Sequence, residues 1–130
     1  MRHAPGLALV GAACALAGCG GAANEQVQAK LQQFTHAVAN RDAAALCQQV
    51  LAPALVDHFT AAGLDCKQAM RTYFQSVTDP TLSVSKVKVH GATASAVVLA
   101  RARGQQPALE SVQLISTRKG WRLASLATPR

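Results

Sequence analysis

Carboxylates are scarce in this chain: six Asp and Glu against thirteen Lys and Arg, a formal charge of +7. Asp42, Asp65 and Asp79 fall where helix caps or turns are expected and Glu25 points away from the apolar stripe of the first helix, so Asp57 and Glu110 are the spare acids and a general acid/base pair has little material. The histidines His36, His58 and His90 match no zinc-ligand spacing, no Cys-x-x-Cys redox pair occurs, and no Gly-x-Ser-x-Gly nucleophile turn is present. Neither a metal nor a cofactor is therefore expected. Asp57 and His58 are neighbours on a helix, where adjacent side chains diverge by about 100° and do not form a dyad. If the chain is an enzyme, His36, Asp57, His58 and Tyr73 are the first residues to test. No internal repeat is present, and no apolar run reaches the roughly 20 residues of a membrane span.

A shorter apolar run is present, and its place is informative. Arg2 precedes an apolar segment from Ala4 to Leu16, followed by Ala17, Gly18 and Cys19, the order of parts in a secretory signal. Leu-Ala-Gly-Cys resembles the lipobox of bacterial lipoproteins. The resemblance implies cleavage after Gly18, with Cys19 carrying lipid as the new amino terminus. Residues 1–18 are then a signal peptide, 19–24 a lipidated tether rich in Gly and Ala, and 25–130 one α+β domain, long enough for a single core and too short for two. The expected location is the bacterial cell envelope, outside the cytoplasm and anchored in a membrane through Cys19. There the basic excess faces phospholipid headgroups and anionic envelope polymer rather than nucleic acid. For Arg101, Arg103, Arg118, Lys119 and Arg122 the favoured expectation is an ordinary solvated face, and the alternative is one basic side of the sheet that meets anionic wall polymer.

From Asn24 the periodicity is helical. Val27, Leu31, Phe34 and Val38 make one apolar stripe, behind Asn24 as cap. Asp42 caps a second helix running to about Leu51. Pro53 starts a third, which stops at Gly63, and Asp65 caps a fourth whose stripe is Cys66, Met70, Tyr73, Phe74 and Val77. After Pro80 the pattern alternates with period two. Residues 82–89 form a strand whose apolar phase slips between Val84 and Val87, the mark of a bulge. Strands over 94–103 and 109–117 follow, and Lys119-Gly120 turns into a last strand carrying Trp121 and Leu123. Helices followed by strands make the fold class α+β, with the N-terminal helices packed on a curved, four-stranded antiparallel sheet.

Two cysteines, Cys47 and Cys66, remain after the signal segment and the lipid site are set aside. In an oxidising compartment they are expected to form a disulfide closing a loop of about twenty residues, worth about 3 kcal/mol and able to lock helices too short to hold themselves.

A first amphipathic helix, short helices joined by a cysteine pair, and a meander closing on Lys-Gly-Trp-Arg-Leu resemble small secreted lipoproteins of the nuclear transport factor 2-like (cystatin-like) superfamily, over roughly residues 25–126. The resemblance implies a cone whose concave sheet and first helix enclose a pocket, with Phe34, Tyr73, Leu99, Trp121 and Leu123 lining either the pocket or an ordinary core. The chain departs from the superfamily's enzymes, whose acid and base lie on the pocket wall, because its only strand carboxylate is Glu110, near a loop. The expected function is a non-catalytic envelope lipoprotein binding a small apolar ligand or a protein partner. An isomerase- or dehydratase-like enzyme in the same pocket and a structural wall-associated module are the alternatives.

Overall fold

The computed structural model describes residues 19–126; the expected signal peptide, residues 1–18, lies outside them. Helix α1 (Cys19–Ala39) carries the apolar stripe, with Val27, Leu31, Phe34 and Val38 buried against the sheet. It begins before the expected boundary. Residues 20–23, expected as a tether, are helical, and Asn24 lies inside the helix, accepting from Gln28 Nε2 at 2.6 Å rather than capping it. Ala22 and Ala23 favour helix strongly enough to carry the register back through Gly20 and Gly21.

The second helix is a compound one. α2 (Ala43–Ala45) is capped by Asp42, which accepts from Ala45 N, and runs directly into a π-helical turn (Leu46–Val50) closed by Leu51 N donating to Leu46 O. The wider turn frees the carbonyls of Gln48 and Gln49, which accept from Arg122 Nη1 at 2.9 Å and Lys30 Nζ at 3.0 Å. It also aims Leu46 and Val50 into the core.

Helix α3 (Pro53–Ala61) ends in a Schellman motif. Leu64 N donates to Phe59 O and Gly63 N to Thr60 O, with Gly63 at φ +80°, a conformation glycine adopts without penalty. Asp65 caps α4 (Cys66–Ser76) by accepting from Gln68 N, and Cys66, Met70 and Phe74 are buried. A disulfide joins Cys47 on the π turn to Cys66 at the start of α4.

The sheet is an antiparallel meander in the order β1 (Thr81–His90), β2 (Thr93–Arg101), β3 (Ala108–Thr117), β4 (Gly120–Leu123). The β1–β2 register shifts between Val84 and Lys86, leaving Ser85 as the extra residue. This bulge keeps Leu82 and Val84 on the same face as Val87 and Val89, where an unbroken strand would turn one pair outward. The inner face of β2 and β3 is Ala94, Ala96, Val98, Val112 and Leu114, all buried. The free edge of β4 is covered: Leu51 bridges Leu123 in parallel and Ala52 N donates to Leu123 O at 2.8 Å. The four helices thus lie on one face of a curved sheet, the α+β arrangement expected from the sequence.

Candidate functional site

Most of the space between helices and sheet is filled by side chains; at the end of the sheet where β2 meets β3 a cleft opens. Its cavity volume is about 40 Å³, within about 490 Å³ of unfilled space once the open mouth is counted. Phe34 from α1, Tyr73 and Val77 from α4, Leu82 from β1 and the paired Ala100 and Ala108 make its apolar walls. The Phe34 and Tyr73 rings meet at 6.4 Å between centroids, tilted by 49°. The small side chains of Ala100 and Ala108 leave room at this end of the sheet; the next inward-facing pair, Val98 with Glu110, closes the cleft toward the core.

The polar side of the cleft is Tyr73 and Glu110. The phenol of Tyr73 is pushed up to about 12, first by burial and then by the charge of the Glu110 carboxylate, so it stays a hydrogen-bond donor through the physiological range. Glu110 reaches this wall because inward positions on β3 alternate as 110, 112 and 114, with Val112 and Leu114 buried. Its Oε1 is shut off from solvent. The expectation that the strands hold no pocket-wall acid is therefore corrected. Period-two counting back from Val112 was the signal that places Glu110 inward.

The same alternation turns Leu109 outward, 68 % exposed. Leu99, expected among the pocket or core residues, pairs with Leu109 in register and shares the outer face with Val97. Its parity on β2 is opposite to that of the buried Ala96 and Val98. Trp121 and Leu123 are buried in the core and stand apart from the cleft. Phe34 and Tyr73 line it. His36 on α1, the adjacent Asp57 and His58 on α3, and His90 at the end of β1 are all exposed, and these three elements do not bring them together into one site. Among the described residues, no three His, Cys, Asp or Glu side chains cluster closely enough to hold a metal ion.

The mouth is closed on one side by the loop between β2 and β3. Arg103 N donates to Thr78 O at 2.8 Å, the Arg103 guanidinium pairs with Asp79, and Gln105 Nε2 donates to Ser76 O. These contacts strap the loop to the segment joining α4 to β1, with Arg101 and Gln106 at the opening. The basic residues do not form a single side. Arg101 and Arg103 sit at this end of the sheet, whereas Arg118, Lys119 and Arg122 sit at the other, because the β3–β4 hairpin lies beside the β1–β2 turn.

No protein-family model matches the chain, and no curated protein matches it in sequence. Solved structures do match in shape. An NTF2-like (nuclear transport factor 2-like) protein of unknown function from Silicibacter pomeroyi superposes with a TM-score of 0.58 at 14% identity, covering 80% of this chain and 92% of its own. A "putative dehydratase from the NTF2-like family" of Streptomyces avermitilis gives 0.53 at 17% identity, covering 80% and 93%. At such identities the likeness speaks for the backbone arrangement alone, and that arrangement is the NTF2-like fold.

Proposed function

We propose that this is a lipid-anchored protein of the bacterial envelope whose domain binds a small, mostly apolar ligand in the cleft between α1, α4 and the β2–β3 end of the sheet. The observation that carries the binding reading is a mostly apolar cleft beside a well-filled core, with Tyr73 and Glu110 among the few polar groups that line it. The apolar walls offer surface to the body of a ligand. Tyr73, held protonated, offers a donor to an oxygen on it. The anchor rests on the Leu-Ala-Gly-Cys sequence ending at Cys19.

The test is titration of the protein with a fluorescent apolar probe such as anilinonaphthalene sulfonate, read beside a variant in which Ala108→Phe fills the cleft. Saturable binding in the wild type and its loss in the folded variant support the reading. Equal binding by both would overturn it.

A second reading, an acid/base enzyme of the dehydratase or isomerase kind, is favoured by one observation: Tyr73 from α4 and Glu110 from β3 both line that cleft, close enough for the Glu110 charge to act on the phenol. The fold is compatible with either role, and the Streptomyces avermitilis protein is named for dehydratase chemistry. In this reading Tyr73 donates a proton to a leaving oxygen and Glu110 accepts one from carbon. Glu110→Gln separates the readings: unchanged ligand affinity with abolished turnover marks the enzyme, and a change in affinity alone marks the binding protein.

A further inference from the structure

A second cleft lies at the opposite end of the sheet, between the β3–β4 hairpin, the π turn and the first turn of α3, with about 830 Å³ of empty space counting its open side. Three cations line it, Arg118, Lys119 and Arg122, against one carboxylate, Asp57. Among the described residues none of the three cations lies within ion-pair distance of a carboxylate. Arg118 and Lys119 are exposed, but Arg122 is only 8 % exposed and its Nη1 donates to the neutral carbonyl of Gln48. A buried guanidinium without a counter-charge is costly unless something else neutralises it. Positive charge accumulates further behind it. Lys30, bonded to Gln49 O on the same π turn, is held below the ordinary lysine range by burial and then by the charge of Arg122.

The basic groups are presented on a fixed hairpin. Thr117 Oγ1 donates to Gly120 O at 2.8 Å and accepts from Lys119 N at 3.2 Å, and Gly120, at φ +101°, closes the turn. Facing them is the start of α3, whose N-cap, Ala52, supplies no side-chain acceptor, so the positive end of the helix dipole points the same way. Three cations against one carboxylate leave the lining two charges positive. A phosphate monoester carries about −1.5 to −2 at neutral pH with three acceptor oxygens, which matches that excess better than a single carboxylate does.

We infer that this second cleft is a phosphate-monoester site, with Arg118, Lys119 and Arg122 as its ligands, separate from the apolar cleft. The phosphate arrives on a soluble molecule or on the headgroup of a lipid such as phosphatidic acid. The recognising chemistry is shared, and the experiment separates the two sources.

The experiment is nitrogen-edited NMR of the full chain, titrated with inorganic phosphate and with glycerol 3-phosphate, beside sedimentation with phosphatidylcholine vesicles containing or lacking phosphatidic acid. The expected result is saturable shifts of amides 117–122, 51, 52 and 54–57, with amides lining the apolar cleft unmoved. The double variant Arg118→Gln, Lys119→Gln should weaken binding about tenfold or more. Lys86→Gln, Lys88→Gln on the exposed face of β1 removes the same charge and should leave binding nearly unchanged. Saturable binding of the soluble phosphates assigns a soluble source; capture by phosphatidic acid vesicles alone, with the same sensitivity to the hairpin variant, assigns a lipid source. Shifts outside the cleft, equal weakening by both double variants, or no binding to either form would overturn the inference, whatever becomes of the apolar cleft.

Discussion

Glu110 and Leu109 exchange the places that polarity alone assigns them: the acid faces the cleft and the leucine faces solvent. One leucine exposed on a sheet surface is inexpensive beside turning Val112 and Leu114 outward, so the strand follows its longer apolar stretch. The consequence is readable at Tyr73, the sole tyrosine of the chain. Absorbance at 295 nm should give a phenol midpoint near 12 in the folded protein. Between pH 10 and 12 the unfolded chain has already released this proton and the folded chain still holds it, so rising pH favours unfolding across that window. Stability fully present below pH 10 should fall by about 2 kcal/mol, allowing for partial exposure of the ring. Tyr73→Phe should remove that component of the pH dependence, and Glu110→Gln should lower the midpoint while burial keeps it above 10. Chemical denaturation at stepped pH checks the first; the absorbance titration checks the second.

Among the elements, the short helices depend most on their surroundings. α2 and the π turn together are too brief to persist alone, and they are held by the Asp42 cap, the buried Leu46 and Val50, cation contacts to two freed carbonyls, and the disulfide to α4. Replacing Cys47 and Cys66 by Ala together should lower stability by about 3 kcal/mol in guanidinium unfolding, chiefly through the unfolded chain, whose 19-residue separation is no longer closed. A loss below about 1 kcal/mol would show that packing alone fixes the segment. This region also shows where sequence was informative. Asp42, Asp65, Gly63 and the phase slip around Ser85 were legible because caps, stops and bulges are local. The widening to a π turn was not, because its freed carbonyls find Lys30 and Arg122, the latter 74 positions along the chain from Gln48. The start of α1 and the inward place of Glu110 were misjudged where a neighbourly composition, Gly-rich or loop-adjacent, outweighed the longer pattern beside it.

At the scale of the whole molecule, the lipid-anchored reading proposed above raises the question of what would hold the domain at a membrane. Among the described residues no helix is long and apolar enough to cross one, and the large exposed apolar residues are Leu64 in the α3–α4 loop and Val97 and Leu109 on the outer sheet face. They sit on different elements and give too little apolar area for insertion. Attachment by the described residues alone would therefore be electrostatic, through their basic excess, and screened once the Debye length shrinks to about 3 Å at 1 M salt. The acyl chains proposed for Cys19 would behave differently: at about 0.8 kcal/mol per buried methylene, two or more chains would hold regardless of salt. Membranes carrying the wild-type protein should retain it through a 1 M sodium chloride wash, and Cys19→Ser should be released into the soluble fraction with its disulfide and fold intact by circular dichroism. Release of the wild type by salt would remove the lipid anchor and leave basic surface as the only tether. Release of Cys19→Ser without salt would show that, whatever phosphate the second cleft binds, that contact is too weak to localise the molecule by itself.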